Sequence, residues 1–149
     1  MRLFTSPDEL AAELGKPLGS SEWLPIEQAR VDAFAEATGD HQWIHVDPER
    51  AAAGPFGAPV AHGYLTLSLL PVLVKQIFTV QARMAVNYGL NRVRFPAPVR
   101  VGSRVRATSV VREAQEVVGG IQVVTGTTIE IQGGDKPACV VEAVARYFR

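Results

Sequence analysis

Residues 63–78, with the sequence GYLTLSLLPVLVKQIF, hold the one long apolar stretch of the chain. A helix drawn from these residues has apolar side chains on nearly every face, a pattern typical of a helix enclosed by protein. Thr66, Ser68 and Pro71 interrupt the stretch, which stays well short of the roughly 18 uninterrupted apolar residues of a membrane-spanning helix. We therefore predict a buried helix that Pro71 kinks or divides.

Four segments rich in Val, Ile, Thr and aromatic residues follow this helix, and such segments are typical of β-strands. Gly119-Gly120 and Gly133-Gly134 separate the last three segments and suit the hairpins of an antiparallel sheet. The predicted strands are Ala82–Phe95, Arg104–Glu116, Ile121–Gln132 and Ala138–Phe148, with an extra strand at Ser21–Leu24. A buried helix followed by such strands indicates an α+β domain of hot-dog fold, with the antiparallel sheet wrapped around a long central helix.

The size and charge of the chain limit its partners. With 149 residues, of which 47% are hydrophobic, the chain is predicted to form a single domain over residues 1–149. One curved sheet leaves an edge and part of its helical layer uncovered, so we expect a homodimer. Fifteen basic and fifteen acidic residues cancel, so no global field favours nucleic acid or a membrane surface as a partner.

The expected compartment is the cytoplasm. The single cysteine, Cys139, cannot form an intrachain disulfide, which fits a reducing environment. Its apolar neighbours indicate a small buried side chain. Asp8, Glu9 and Glu13 follow Met1 too soon for the apolar region of a signal peptide, so export is not indicated.

Asp40 and His45 are the candidate acid–base pair. Helical spacing from Ile26 to Thr38 ends at Gly39, and Asp47 with the proline after it is typical of the cap of a new helix. We therefore place Asp40 and His45 in a non-helical loop between two helices. A carboxylate and an imidazole held in such a loop can take a proton from water and deliver one to carbon.

Two other interpretations of this segment stay open. Asp40 after a glycine also fits ordinary turn chemistry, and His45 beside Trp43 fits a packed side chain with one satisfied nitrogen. A metal site is a third interpretation, because Asp40, His41, His45 and His62 offer a ligand set. His41 and His45 share a face only on a helix, however, and Gly39 indicates that the helix has ended, so a metal is not expected.

Gly63 is a candidate oxyanion donor at the start of the buried helix. The first N–H groups of a helix have no internal partner and point towards negative charge. A glycine allows close approach of a ligand oxygen, such as the oxygen of a thioester carbonyl that gains charge during conjugate addition. A glycine needed only for tight entry into the helix is an equally good interpretation on local grounds.

Several motifs in this order resemble a known enzyme family, the single-domain MaoC-like (R)-specific enoyl-CoA hydratases and 3-hydroxyacyl-thioester dehydratases. The resemblance covers roughly residues 20–148, and the ordered set is more specific than any one motif. The matching motifs are Ala37-Thr38-Gly39-Asp40, His45 with Asp47-Pro48, Ala61-His62-Gly63-Tyr64-Leu65, Asn87-Tyr88-Gly89 and Val93-Arg94-Phe95-Pro96-Ala97-Pro98-Val99.

The resemblance implies a hydro-lyase of fatty-acid metabolism with a hot-dog fold and no metal or redox cofactor. Asp40 and His45 would hold and activate the water, and the Gly63 N–H would be the oxyanion donor. The reaction would add water to a trans-2-enoyl thioester of coenzyme A or acyl carrier protein, giving the (R)-3-hydroxyacyl product, or remove it in reverse. The family pattern has Asn-Pro where this chain has Gln42-Trp43, and that variant resembles the nodulation-protein-N-like branch.

An enoyl-CoA substrate would need an apolar pocket for its acyl chain and polar contacts for the phosphates of coenzyme A. Phe56, Tyr64 and Leu65 are candidate walls of the acyl pocket, although each also fits an ordinary core position. Arg92 and Arg94 share a face of a strand and are candidate contacts for the phosphates of coenzyme A. Charged side chains that guard a solvated sheet edge would give the same pattern.

Two rival functions remain at this level. A hot-dog acyl-CoA thioesterase would act on the same substrate class, but such enzymes often carry an acid on the buried helix, and residues 63–78 contain no Asp or Glu. A non-catalytic subunit that binds or senses acyl thioesters is the other rival. The presence of both Asp40 and His45 favours the enzyme.

Overall fold

The computed structural model describes residues 1–149 as eight strands and six helices. In chain order these are β1 (Arg2–Phe4), α1 (Pro7–Ala11), β2 (Pro17–Ser20), β3 (Leu24–Pro25), α2 (Gln28–Thr38), α3 (Trp43–Val46), α4 (Pro48–Ala52), α5 (Gly63–Ser68), α6 (Leu70–Ile77), β4 (Phe78–Val80), β5 (Met84–Arg94), β6 (Arg104–Val117), β7 (Gly120–Ile131) and β8 (Cys139–Phe148). The four predicted long strands are confirmed as β5 to β8, with ends shifted by one or two residues.

The main sheet has six antiparallel strands, and β5 lies at one edge of it. The order is β2-β6-β7-β8-β5, with β3 also paired to β6. Gly119, in the left-handed conformation at φ 79°, lies in the β6–β7 hairpin, as its sequence position predicts. The α5–α6 segment packs inside the curve of this sheet, so the predicted α+β hot-dog fold is confirmed.

The predicted extra strand at Ser21–Leu24 is wrong in its position. Two short strands, β2 and β3, flank that segment and both pair with β6. Ser21 lies between them: its N–H donates to the carbonyl of Ala107 at 2.9 Å, and its hydroxyl accepts from the N–H of Ala107 at 2.9 Å. The Ser21 hydroxyl thus takes the place of a main-chain acceptor for β6 in the gap between β2 and β3. A separate parallel pair, β1 with β4, was not predicted.

The apolar segment after residue 62 forms two helices, as Pro71 predicts. The first ends at Ser68, and Pro71 lies in the first turn of the second, where its missing N–H costs no helix hydrogen bond. No helix of the chain combines the length and apolar character that crossing a bilayer requires. Leu73 and Ile77 are fully buried against the sheet, and Cys139 is buried as predicted, which raises the pKa of its thiol to about 11.

The expectation that this segment is enclosed on nearly every side is wrong. One stripe of the two helices is exposed and carries Tyr64, Ser68, Pro71, Val72 and Lys75. Both faces of the edge strand β5 are also largely exposed. Residues of β5 line one groove together with Ser68 and Pro71 of this stripe. The single chain therefore leaves an apolar helix stripe and an unpaired strand edge uncovered.

Candidate active site

Asp40 lies just beyond the C-terminal end of α2. Gly39 closes that helix in the left-handed conformation at φ 79°, which a residue with a Cβ rarely adopts. The N–H of Gln42 donates to Oδ1 of Asp40 at 3.3 Å, a local turn contact typical of aspartate. The side chain is exposed and its second carboxylate oxygen has no partner in the chain. Asp40 can therefore accept a hydrogen bond or a proton from a ligand.

His45 lies on the short helix α3, so its predicted placement in a non-helical loop is wrong. The turn is closed by two hydrogen bonds: the N–H of His45 donates to the carbonyl of Gln42, and that of Asp47 donates to the carbonyl of Trp43. A helix of four residues is too short to produce a hydrophobic period, so the pattern could not reveal it. Asp47 caps the next helix as predicted, since its carboxylate accepts from the N–H of Arg50 at 3.0 Å.

The ring of His45 is buried and is held by Val60. Nδ1 of His45 lies 2.6 Å from the main-chain oxygen of Val60. A carbonyl oxygen can only accept, so the hydrogen must be on Nδ1 and the lone pair of the neutral ring on Nε2. The N–H of Val60 in turn donates to the carbonyl of Ile44 at 3.0 Å. These two contacts fix the imidazole so that Nε2 is the nitrogen available for chemistry.

Val60 is itself held by the chain segment before β6. The N–H of Ala61 donates to the carbonyl of Val99 at 2.8 Å, and the N–H of Val101 donates to the carbonyl of Pro59 at 2.8 Å. Residues 59–61 and 99–101 thus form a short two-stranded contact on either side of the Val60 carbonyl. The tertiary structure fixes the acceptor for His45, which no local sequence signal indicated.

Asp40, His45 and His62 come together in space. A carboxylate oxygen of Asp40 and one ring nitrogen from each histidine lie within 4.8 Å of one another. Two atoms that each hydrogen-bond the same water at about 2.8 Å lie roughly 4.5 Å apart when the water is tetrahedral. The spacing of the Asp40 and His45 side chains therefore suits a single shared water.

His62 also belongs to this site, although the sequence indicated no role for it except as a possible metal ligand. Its side chain is 2% exposed, and its Nε2 lies 2.9 Å from the main-chain oxygen of Asp40. Its ring stacks on that of His45, with centroids 3.8 Å apart and planes 23° apart. The only local signal was its place directly before the glycine that opens α5.

The geometry does not suit a metal held by the predicted ligand set. A histidine binds a metal in the plane of its ring, and the nearly parallel rings of His45 and His62 cannot both direct a lone pair at one ion. Nε2 of His62 is also occupied by the Asp40 carbonyl. His41 is exposed and lies 3.6 Å from Glu36, away from the other three.

Gly63 is the first residue of α5 and directly follows His62. The N–H groups of Gly63 and Tyr64 have no carbonyl partner one turn earlier, so they can donate to a ligand. A Cβ added to Gly63 would lie 3.2 Å from ring carbons of Phe95, so the aromatic ring packs closely over the glycine. The oxyanion role remains a prediction that this placement accommodates.

The three candidate wall residues of the acyl pocket lie in different surroundings. Leu65 is in the core, Phe56 is half-buried in the turn after α4, and Tyr64 is 71% exposed. A cavity of about 300 Å³ lies instead between α5–α6 and the strands β5 and β8. Its walls include Leu67, Leu70, Val74, Asn87, Gly89 and Tyr147. Two of these residues belong to the Asn87-Tyr88-Gly89 motif.

Arg92 and Arg94 lie on the outer face of the sheet. Arg94 pairs with the exposed Val140, whereas the intervening Val93 pairs with Val141 in the core. A shallow groove beside the two arginines also contains Glu142. Both side chains are therefore on the opposite side of the sheet from α5 and from the site of the same chain.

Trp43, which departs from the family pattern, packs away from the acid–base pair. Its indole lies against Gly54, where an added Cβ would be 2.9 Å from a ring carbon. The guanidinium of Arg50 stacks over the same ring at 4.4 Å from its centroid. Trp43 thus fastens α3 to α4 and to the turn that follows it.

The chain is similar to known proteins in both sequence and structure. The family model described as "MaoC like domain" matches residues 9–133. The chain is 57% identical over 149 residues to 3-hydroxyacyl-thioester dehydratase Z of Mycobacterium tuberculosis, covering 99% of both proteins. It is 46% identical to nodulation protein N of Rhizobium leguminosarum, covering 87% of this chain and 83% of that protein. The solved structure of the (R)-hydratase from A. caviae has a TM-score of 0.75 at 31% identity, covering 91% of this chain and 96% of that chain.

Proposed function

Because the chain belongs to the MaoC-like dehydratase family, we propose that it catalyses the reversible hydration of a trans-2-enoyl thioester to the (R)-3-hydroxyacyl thioester. Its similarity to a 3-hydroxyacyl-thioester dehydratase extends over nearly the full length of both proteins. The observation that carries the reaction is that a carboxylate oxygen of Asp40 and a ring nitrogen of the anchored His45 lie within 4.8 Å, a separation that one shared water can span. We further propose that it acts as a single domain in the cytoplasm, without a metal or redox cofactor.

In the hydration direction, the water lies between Asp40 and His45. Nε2 of His45 accepts a hydrogen bond from one O–H and orients the water. The carboxylate of Asp40 takes the other proton as the water oxygen bonds to C3 of the substrate, and the acid so formed gives that proton to C2. One water is added, and both side chains return to their starting protonation states. The dehydration runs the same steps in reverse.

Negative charge builds on the thioester oxygen when the C3–O bond forms, because the electrons of the double bond move towards the carbonyl. The N–H of Gly63, at the unpaired end of α5, is the proposed donor to that oxygen. A main-chain donor needs no reorganisation during the reaction. Its neighbour Phe95 covers the glycine and reduces the access of bulk water.

The proposed activity is tested by incubating the purified protein with trans-2-enoyl-CoA substrates, beginning with crotonyl-CoA. Loss of the absorbance of the conjugated thioester, with an (R)-3-hydroxyacyl product on chiral chromatography, is the expected result. Release of free thiol without loss of the double bond would identify a thioesterase. If no enoyl thioester is hydrated at any chain length, with either coenzyme A or acyl carrier protein as carrier, the proposed activity is contradicted. Only a binding function would then remain.

We propose the cavity between α5–α6 and β5–β8 as the acyl site, and Val74→Ala is expected to favour longer chains. Removing two methyl groups from this wall makes room for further carbons. A change of one methylene in an apolar pocket alters selectivity by about 10- to 200-fold. We therefore expect the ratio of kcat/KM for eight-carbon over four-carbon enoyl-CoA to rise about tenfold. Val72→Ala is the matched control, because Val72 lies on the exposed stripe; an equal change in both variants would contradict this assignment.

We propose that the chain works as a homodimer formed through β5. This edge strand bonds only to β8, and it exposes apolar side chains that include Val86 at 40% and Tyr88 at 58%. Phosphate contact by Arg92 and Arg94 within one chain is disfavoured, since both side chains lie on the outer face of the sheet.

Val86→Lys is expected to convert the dimer into monomers, because it places a charge in the middle of the apolar edge. Light scattering of the wild type should give twice the 16.1 kDa mass of one chain, and the variant should give the mass of one chain. Val118→Lys is the matched control, since Val118 is 98% exposed at the tip of the β6–β7 hairpin. A wild-type protein with the mass of one chain would contradict the proposed homodimer.

A further inference from the structure

We propose that His62 is a positioning residue that holds Asp40 and His45 in their working arrangement, a role that rests on the proposed hydration. The side chain contacts both members of the pair. Its Nε2 lies 2.9 Å from the main-chain oxygen of Asp40, and its ring lies flat against that of His45 with centroids 3.8 Å apart. One buried residue thus sets the separation of the two groups that share the water.

The contact to Asp40 is the single hydrogen bond that its carbonyl receives. Asp40 follows the end of α2, where carbonyl groups lose their helical partners, and no main-chain N–H donates to this one. Since a carbonyl oxygen only accepts, the hydrogen of the neutral His62 ring must be on Nε2. Without that donor, the peptide of Asp40 would be free to rotate between Gly39 and the turn that follows. The carboxylate would rotate with it.

The packing around His62 prevents the ring from moving. Phe34 of α2 also contacts it, with ring centroids 4.9 Å apart and planes 54° apart, so the imidazole packs against both Phe34 and His45. The residue also directly precedes Gly63, the first residue of α5. The position of His62 therefore links the end of α2, the ring of His45 and the proposed oxyanion donor.

His62 positions the pair and does not itself exchange protons with the substrate. Its side chain is 2% exposed, and Nδ1 is fully enclosed with no hydrogen-bond partner. An unpaired acceptor is tolerated more readily in a protein interior than an unpaired donor, which agrees with a lone pair on Nδ1. The nitrogen that could carry a proton to a substrate is thus closed off from it.

The test compares two amides at this position. The amide nitrogen of glutamine is as many bonds from Cα as Nε2 of histidine, so His62→Gln keeps a donor within reach of the Asp40 carbonyl. The amide nitrogen of asparagine is one bond short, so His62→Asn does not. Because a misplacement of about 1 Å can cost about 100-fold in rate, we expect His62→Asn to lower kcat by about 10- to 100-fold with KM changed less than about threefold. His62→Gln should recover most of that loss.

The control is His41→Gln, which makes the same chemical change at an exposed histidine of the same segment and should leave kcat unchanged. Equal losses of kcat in His62→Asn and His62→Gln would overturn the role of the hydrogen bond. A loss confined to KM or to the melting temperature would overturn positioning as well, because a merely structural residue would act that way.

A second measurement does not depend on turnover. Long-range ¹H–¹⁵N NMR of the ring nitrogens of wild-type protein should show His62 with its hydrogen on Nε2 and a bare Nδ1. A hydrogen on Nδ1 in place of Nε2 would overturn the contact to Asp40. If the wild type shows the expected tautomer but hydrates no enoyl thioester, the proposed function fails while the contact stands, so the two failures are distinguishable.

Discussion

Replacing Asp40 with Asn is expected to lower kcat for enoyl-CoA hydration by about 10²-fold or more. The amide has the shape of the carboxylate but cannot accept a proton from water. Its oxygen can still accept from the N–H of Gln42, and the contact to His62 uses the main chain, so the local structure is preserved. The loss should therefore lie in kcat, with KM changed by a small factor. The decay of enoyl-thioester absorbance at saturating substrate measures it.

Asp32→Asn is the matched control for this variant. Asp32 lies on the exposed side of α2, where its Oδ1 accepts from Nε2 of Gln28 at 2.9 Å. Gln28 also donates to the main-chain oxygen of His45 at 2.8 Å, and asparagine keeps the oxygen that holds Gln28 in place. The same change of charge on the helix that ends just before Asp40 should leave kcat within about twofold, as expected for a surface position. Should Asp40→Asn and Asp32→Asn have similar activity, Asp40 would have no part in the proton transfer.

The second large effect is expected at His45, where two amides separate chemistry from anchoring. The amide nitrogen of asparagine is as many bonds from Cα as Nδ1 of histidine, so His45→Asn can still donate to the carbonyl of Val60. It has no atom at the position of Nε2. Since positioned acid–base groups contribute about 10²- to 10⁴-fold, we expect His45→Asn to lower kcat by about 10²-fold or more. Stopped-flow or steady-state hydration assays measure this loss.

His45→Gln should lose activity and stability together. Its longer amide reaches towards the position of Nε2 and leaves the buried carbonyl of Val60 without its donor. An unsatisfied buried polar group costs about 1–3 kcal/mol, so thermal unfolding should show a lower melting temperature for His45→Gln than for His45→Asn. Near-normal turnover by His45→Asn would show that Nε2 has no role. The reverse order of melting temperatures would contradict the Val60 anchor.

The local signals of the sequence predicted most of the secondary structure. Gly39 ends α2, Asp47 caps α4, and Pro71 divides the apolar segment, because each of these effects acts within one turn of chain. Segments rich in Val, Ile, Thr and aromatic residues predicted the four long strands, because strand preference is also a local property. The small edge strands β2 and β3 were misplaced, since their hydrogen bonds depend on pairing with β6. The helix α3 was missed because four residues are too few to produce a hydrophobic period.

The candidate site divides in the same way. The family-like order of motifs pointed to Asp40, His45 and Gly63, and the chain's relatives agree with the reaction those motifs imply. The cavity between α5–α6 and the strands β5 and β8 was not predicted from the sequence, because which apolar side chains face a common space depends on how these strands meet the helices. The exposure of the α5–α6 stripe likewise followed from packing, since apolar composition alone cannot tell a core from an interface.

The sequence by itself determined an α+β hot-dog domain, the end of α2 at Gly39 and the start of α4 at Asp47, because backbone and capping preferences act between residues close in the chain. It also proposed Asp40 and His45 as an acid–base pair. Only the tertiary structure decided how that pair is held. The carbonyl that anchors His45 is 15 residues away, and the histidine that holds the peptide of Asp40 is 22 residues away. Hydrogen bonds over such separations exist only once the sheet and helices have packed, so no local pattern specifies them.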